Sequence, residues 1–210
     1  MKIFLKLIIV FFLSNNFIAN AENEPKNYLK GKFHQTVKNN FLVATKKMSD
    51  NRFSKTVIVI LENSEDGSWG LTINKSMGEI PIALLIDSSL SSSKEREKLL
   101  ATNVPIFWGG PVDIEEIFIL HSSEYKSEST INYGSVSVSK DYKILLDIAK
   151  KEGPNESLVI LGYSGWSSGQ LEGEMEKNHW ELSEINLDVI FKTENDSKWL
   201  IAIENSYISL

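Results

Sequence analysis

The sequence predicts a single α+β domain. Three observations carry that reading. Strand-like and helix-like segments mix without a regular βαβ rhythm, no repeat or linker divides the second four-fifths of the chain, and 210 residues fit one domain. Hydrophobic residues make up 42% and charged residues 24%, the balance of a globular chain rather than a disordered or collagen-like one. About 190 residues are enough to bury a core that needs no metal or disulfide staple. Cysteine is absent, which excludes disulfides, thiolate catalysis and cysteine-ligated zinc. The formal charge of −6 makes the chain a poor electrostatic match for a phosphate backbone, so nucleic acid is not an expected partner.

Residues 1–21 read as a removable export leader. Lys2 and Lys6 are their only charges, Leu7 to Leu13 is an unbroken apolar run, and Ala19-Asn20-Ala21 supplies a small-x-small exit. The run is shorter than the roughly 20 residues that span a bilayer, so no stable membrane span is expected once the leader is removed. The expected location is outside the cytoplasm, in the periplasm; a leader left uncut as an anchor is the alternative. Removing the two lysines with the leader changes −6 to −8. Residues 22–40 are polar and lysine-rich, with Pro25 and Gly31, and read as a flexible linker ahead of a domain over 41–210.

Within that domain, Phe41 to Ala44 is a short buried strand. Thr56 to Leu61 is β-branched almost throughout and lacks alternation, the habit of a central strand buried on both faces. Asn63 to Gly67 is a turn and Trp69 to Asn74 the returning strand, so Thr56–Asn74 is a hairpin, with Asp66-Gly67 at the tip. Pro81 to Ile86 and Lys94 to Leu100 are short helices, separated by a serine-rich stretch. Val104 to Trp108 is a strand stopped by Gly109-Gly110-Pro111, and Ile117 to Leu120 is another that ends at His121-Ser122. Ser135 to Ser139 alternates as a half-exposed strand. Asp141 caps the clearest helix, whose Ile144, Leu145, Ile148 and Ala149 share one face, and Gly153-Pro154 ends it. Leu158 to Leu161 is a strand that gives way to a glycine-rich loop, Gly162 to Gly169. Gln170 to Lys177 is helical, as is Leu187 to Phe191, and Trp199 to Ile203 closes the domain.

These blocks resemble the YqgE/AlgH family. The similarity runs through Phe41-Leu42-Val43-Ala44-Thr45 with Met48, Asp50 and Phe53, then Gly70-Leu71-Thr72-Ile73-Asn74, Gly109-Gly110-Pro111-Val112 and Leu120-His121-Ser122. It is densest at Gly162-Tyr163-Ser164-Gly165-Trp166 and Gly169-Gln170-Leu171-Glu172, with Trp180 closing the segment. The resemblance implies a strongly curved, partly split mixed sheet flanked by a few helices. It implies no settled biochemical activity; some members are described as transcriptional regulators. This chain departs from the family where Lys46-Lys47 and Asn51 replace common prolines, where Ser167-Ser168 replaces a glycine/proline-type pair, and in its leader. An exported protein cannot sit on a chromosome, so the regulator reading requires a chain that stays in the cytoplasm.

The chemical motifs are each weighed against a plainer role. Gly165-Trp166-Ser167-Ser168-Gly169 spells G-x-S-x-G between a strand and a helix, the setting of a nucleophile elbow. No histidine follows His179, however, and the strand is expected to end near Gly162, too early for Ser167 to be at its tip. His121 and Glu124 form an H-x-x-E pair, but only His34 and His179 remain to complete a metal site, so no metal is expected. Glu115-Glu116 and Glu172, Glu174 and Glu176 read as solvated charges. Gly162, Gly165 and Gly169 ahead of a helix allow nucleotide or small-anion binding without a P-loop lysine, so the alternative function is a nucleotide- or anion-binding protein or an enzyme using the Gly162–Gly169 loop. Lys46, Lys47, Arg52 and Lys55 are the only basic cluster and lack interleaved aromatics.

What remains is a set of uncharged groups at strand ends: Asn74, Gly109, Gly110, His121, Ser122, Gly165, Trp166 and Gln170. If these ends converge, they line a groove with one indole wall, suited to a peptide segment of a protein partner and to no cofactor. The competing role for Trp166 is to plug the core. The sequence-based expectation is therefore a binding or regulatory module without catalytic turnover.

Overall fold

The structure, a computed structural model, describes residues 37–207 apart from 88, 90 and 91. The expected leader and most of the expected linker lie outside the described residues. Val37 is fully buried in the core and Asn40 already belongs to the first strand.

Among the described residues, ten strands and five α-helices follow in the order β1 (Asn40–Ala44), β2 (Val57–Ser64), β3 (Gly67–Thr72), β4 (Ser76–Pro81), α1 (Ser93–Ala101), β5 (Asn103–Trp108), β6 (Val112–Ser122), β7 (Ile131–Asn132), β8 (Val136–Ser139), α2 (Tyr142–Lys150), β9 (Ser157–Ser167), α3 (Gln170–Glu176), β10 (Trp180–Glu184), α4 (Leu187–Phe191) and α5 (Asn195–Glu204). The sheet runs β10-β1-β2-β3-β9-β6-β8-β7 and curls into a half-barrel, confirming the α+β class and the curved sheet. β9 joins its two halves. Ser157 to Tyr163 pair antiparallel with β6, Val159 to Leu161 pair parallel with β5, and Ser164 to Ser167 pair antiparallel with β3. β4 extends the second half beside β5.

Alternation along the strands fills both faces. The inner face buries Phe41, Val59, Leu71, Phe118 and Ile160 with their neighbours beneath α4 and α5. On the outer face, α3 covers Leu42, Ile58, Ile60 and Trp166, while α1 and α2 cover Ile106, Ile119 and Val159. Val57 to Leu61 are fully buried on both faces, as a central strand requires. Asp141 caps α2 by accepting from the Ile144 N–H.

Several local expectations are corrected. The hairpin holds, but its two-residue loop is Glu65-Asp66, because Ser64 pairs with Gly67. β8 is buried at every position rather than half-exposed: Ser139 bonds His121 and Thr130, and Ser137 accepts from Asn132. α2 closes at Lys151 in the left-handed region (φ 64°), two residues before Gly153. β4 and β10 were not expected at all. Most consequentially, the loop expected over Gly162 to Gly169 is strand as far as Ser167. Gly162 supplies the bend with φ 68°, where β9 passes from β6 to β3.

Lys198 on α5 ties the layers together. It is 2% exposed, and its ammonium donates to the carbonyls of Ile73 (3.0 Å) and Ile190 (2.8 Å), 5.4 Å from the Phe107 ring. Burial pushes its pKa down from 10.5 to about 8. Between those values the unfolded chain holds the lysine proton while the fold releases it, so the contribution of Lys198 to stability rises with pH across that window and is flat below it. Urea denaturation should show the protein gaining about 2 kcal/mol between pH 7.5 and 9.5. Lys198→Met should show no such gain; an equal slope in the variant would assign the effect elsewhere.

Candidate functional site

The eight residues expected to line one groove do not converge. Asn74 closes the β2–β3 hairpin, its Oδ1 accepting from the Val57 N–H (2.9 Å) and its Nδ2 donating to the Lys55 carbonyl (2.8 Å). Gly109 and Gly110 press against β9: a Cβ on Gly109 would lie 2.1 Å from the Gly162 oxygen, and one on Gly110 would lie 2.2 Å from the Tyr163 carbonyl carbon. His121 is fully buried between the Ser122 carbonyl at Nδ1 (2.9 Å) and the Ser139 hydroxyl at Nε2 (3.0 Å). Burial lowers its pKa, against the opposing effects of the Ser122 carbonyl and Glu124, which favours the neutral ring. The Ser122 hydroxyl donates to Glu124 (2.8 Å) and accepts from the Glu156 N–H (3.1 Å). These five hold the fold. Among the described residues, no group of three or more His, Asp or Glu side chains is placed to hold a metal ion.

Gly165, Trp166 and Gln170 do share a depression, of about 370 Å³, between the end of β9 and the turn at Asn51–Phe53. Trp166 nevertheless belongs to the core, 7% exposed and packed edge-to-face on Trp180 at 6.0 Å. Its indole N–H donates to Glu174 Oε2 (3.0 Å), and the Trp180 N–H donates to the same oxygen (2.7 Å). Gln170 donates to Glu174 Oε1 (3.1 Å) and accepts from the Ser167 N–H (3.1 Å). Glu174, expected as a solvated charge, is thus the acceptor that anchors both indoles.

The same depression brings Ser164, Glu174 and His179 to its wall, the residue types of a hydrolytic triad. They are not connected as one. The Ser164 hydroxyl is buried and donates to the Gly109 carbonyl (2.9 Å), and no hydrogen bond joins His179 to either partner among the described residues. Ser167 stands at the true end of β9, which removes the argument that the strand stops short of it, but no histidine lines its cavity. The anion reading loses its loop, since Ser164 to Ser167 lie in the ladder with β3. In the basic cluster, Arg52 is paired with Asp50 at 2.6 Å and Lys55 lies over Trp199 at 5.7 Å.

The larger cavity, about 830 Å³ and open to solvent, lies on the inner face across β2, β3, β9 and β6. Its floor is aromatic. Trp69 meets Phe118 at 5.8 Å and Tyr163 at 5.9 Å, and Phe118 meets Tyr163 at 5.9 Å. Behind them Tyr133 packs edge-on to Trp69 at 6.0 Å, and its hydroxyl donates to Glu62 (3.3 Å). Burial and the Glu62 charge push the Tyr133 pKa up to about 12. Glu62, Asp66, Asp113 and Glu116 line the rim, and Asp113 sits in the left-handed region at φ 46°. Lys140 reaches in from the end of β8, 4.5 Å from the Phe118 ring centre and 2.7 Å from Glu116. Of the residues singled out in the sequence, Gly165 and Trp166 line this cavity, but its aromatic floor and acidic rim were not among them. Trp69 and Phe118 each sit in an apolar strand, and no local signal sets them apart from core residues.

The AlgH-like (DUF179) family pattern matches residues 41–210. A UPF0301 protein of Methylococcus capsulatus is 34% identical over 180 residues, 84% of this chain and 95% of that protein. A UPF0301 protein of Pseudomonas putida is 34% identical over 174 residues, 83% of this chain and 90% of its own length. Among solved structures, the solution structure of the AlgH protein from Pseudomonas aeruginosa is similar, with a TM-score of 0.68 and 30% identity over 80% of this chain and 88% of that one. A crystal structure of a Corynebacterium diphtheriae protein shares the fold alone, at a TM-score of 0.55 and 15% identity over 77% of this chain and 82% of that one.

The Glu174 clamp has a measurable cost. Glu174→Leu leaves two largely buried indole N–H groups without their acceptor and should lower stability in urea by about 2–4 kcal/mol. Glu174→Gln keeps an acceptor and should lose about 1 kcal/mol. Equal losses in the two variants would show that the indoles do not depend on it.

Proposed function

This chain belongs to the AlgH-like family, whose relatives' names assign no reaction, and within that family we propose that it is a binding module holding a peptide segment of a partner protein in the cleft floored by Trp69, Phe118 and Tyr163. One observation carries the proposal. The inner face of the sheet is covered by α4 and α5 at one end and left open at the other, over aromatic rings that are only half-buried at Trp69 and Tyr163. Rigid aromatic side chains held by their neighbours offer large contact area at little entropic cost, which is why such residues dominate binding hot spots. The cavity is open to solvent and crosses four strands, so a peptide segment can reach its floor. The leader-like residues 1–21 extend the proposal to a partner outside the cytoplasm.

Short random peptides displayed on phage and selected on the purified protein should enrich a binding set. Their synthetic forms should shift the backbone amides of Trp69, Val112 and Gly165 in NMR spectra. Trp69→Leu, with its fold checked by the same spectra, should weaken them about tenfold or more. No enrichment, or shifts confined to the α1–α2 side, would overturn the proposal.

A further inference from the structure

We infer that the segment held in this cleft is basic: an extended peptide whose lysine or arginine side chains lie along the aromatic floor with their charges toward the acidic rim. The inference rests on the binding reading above and adds the chemistry of the occupant. Four carboxylates line the cavity, Glu62 and Asp66 on one side and Asp113 and Glu116 on the other, against one cation, Lys140. Among the described residues, Glu62, Asp66 and Asp113 have no ion-pair partner. Carboxylates of one sign around a concave surface focus a negative potential into it, and the faces of aromatic rings attract cations.

The molecule already shows how an ammonium sits there. Lys140 places its Nζ 4.5 Å from the Phe118 ring centre while its charge meets Glu116 at 2.7 Å. A lysine or arginine entering beside it would find the same pairing of ring and carboxylate at Trp69 or Tyr163 with Glu62 or Asp113. The spacing of the rim points to a chain rather than to a single ammonium. β2 and β6 are three strand spacings apart in the order β2-β3-β9-β6, about 14 Å along the curved sheet, so the two banks are set on different strands rather than around one point. A chain with repeated positive side chains meets both.

Three peptides of one length, identical except for lysine and arginine, glutamine, or glutamate at alternate positions, test this on the full protein by NMR and fluorescence titration, alongside spermidine. The basic peptide should bind most tightly, shift the amides of Trp69, Val112 and Gly165, and weaken with added salt. Its affinity should fall roughly fivefold or more in the Glu62→Gln/Asp113→Asn double variant and stay unchanged in Glu152→Gln, a charge on the far side of the fold. A glutamine peptide that binds the cleft equally well would overturn the charge inference and leave the binding module standing. Spermidine binding as tightly as the peptide would overturn the peptide as occupant. If no peptide moves the cleft amides, the binding reading falls together with the inference. If the basic peptide binds but the double variant matches the parent, the attraction is diffuse and the assigned rim is wrong.

Discussion

The whole architecture depends on β9 serving two half-sheets at once. Its first seven residues run beside β6, three of them also paired with β5, and its last four turn to pair with β3. The change of partner requires the β5–β6 corner to lie directly against the β9 backbone. Gly109 and Gly110 permit this, because any side chain there would enter the carbonyl groups of Gly162 and Tyr163, which have no freedom to move away. Gly162 adds the bend. Beyond that point the alternation of the strand sends Tyr163 inward to the cleft and Trp166 outward beneath α3. The two features that a reader of the sequence would notice together, the glycines and the tryptophan, therefore do different work on opposite faces.

How much of this was legible follows from the range of the interactions. β2 and α2 could be read because their signals are local: an unbroken β-branched run in one, and a capping aspartate followed by a helical stripe in the other. The second half of β9 could not. Gly162 to Ser167 has the composition of a loop, and only pairing with Gly67 to Gly70, about a hundred residues earlier, makes it a strand. The same holds for β8, whose serines imply exposure until His121, Thr130 and Asn132 are found around them. A polar side chain shows its burial in the sequence only when its partner is close along the chain.

The candidate site was legible only at its edge. Gly165 lines both depressions, and Trp166 and Gln170 are its neighbours, as the motif suggested. Yet the indole is held by Glu174 and Trp180 in a core, and the aromatic surface open to a ligand belongs to Trp69 and Tyr163, with Phe118 between them. Those three come from three strands and meet because Trp69 pairs with Gly165 and Ile160 with Phe118. Nothing in the residues adjacent to Trp69 distinguishes it from any other tryptophan in a strand. Its rim is no more visible in sequence, since Glu62 and Asp113 are ordinary turn and edge charges until the sheet curls and sets them across a cavity.

A second copy of the chain is another conceivable occupant of an aromatic surface left open on a compact domain. The rings meet one another in tilted or edge-to-face pairs at 5.8–6.0 Å, so the cluster keeps its geometry without a covering helix. Two copies docking cleft to cleft would bring eight carboxylates together around a shared apolar patch, with two lysines to offset them. Like charges facing each other across an interface oppose that association, while the same rim attracts a segment of opposite sign. In the proposed binding mode floor and rim act in one direction: the rings supply contact area to an apolar stem, and the carboxylates select stems of opposite charge.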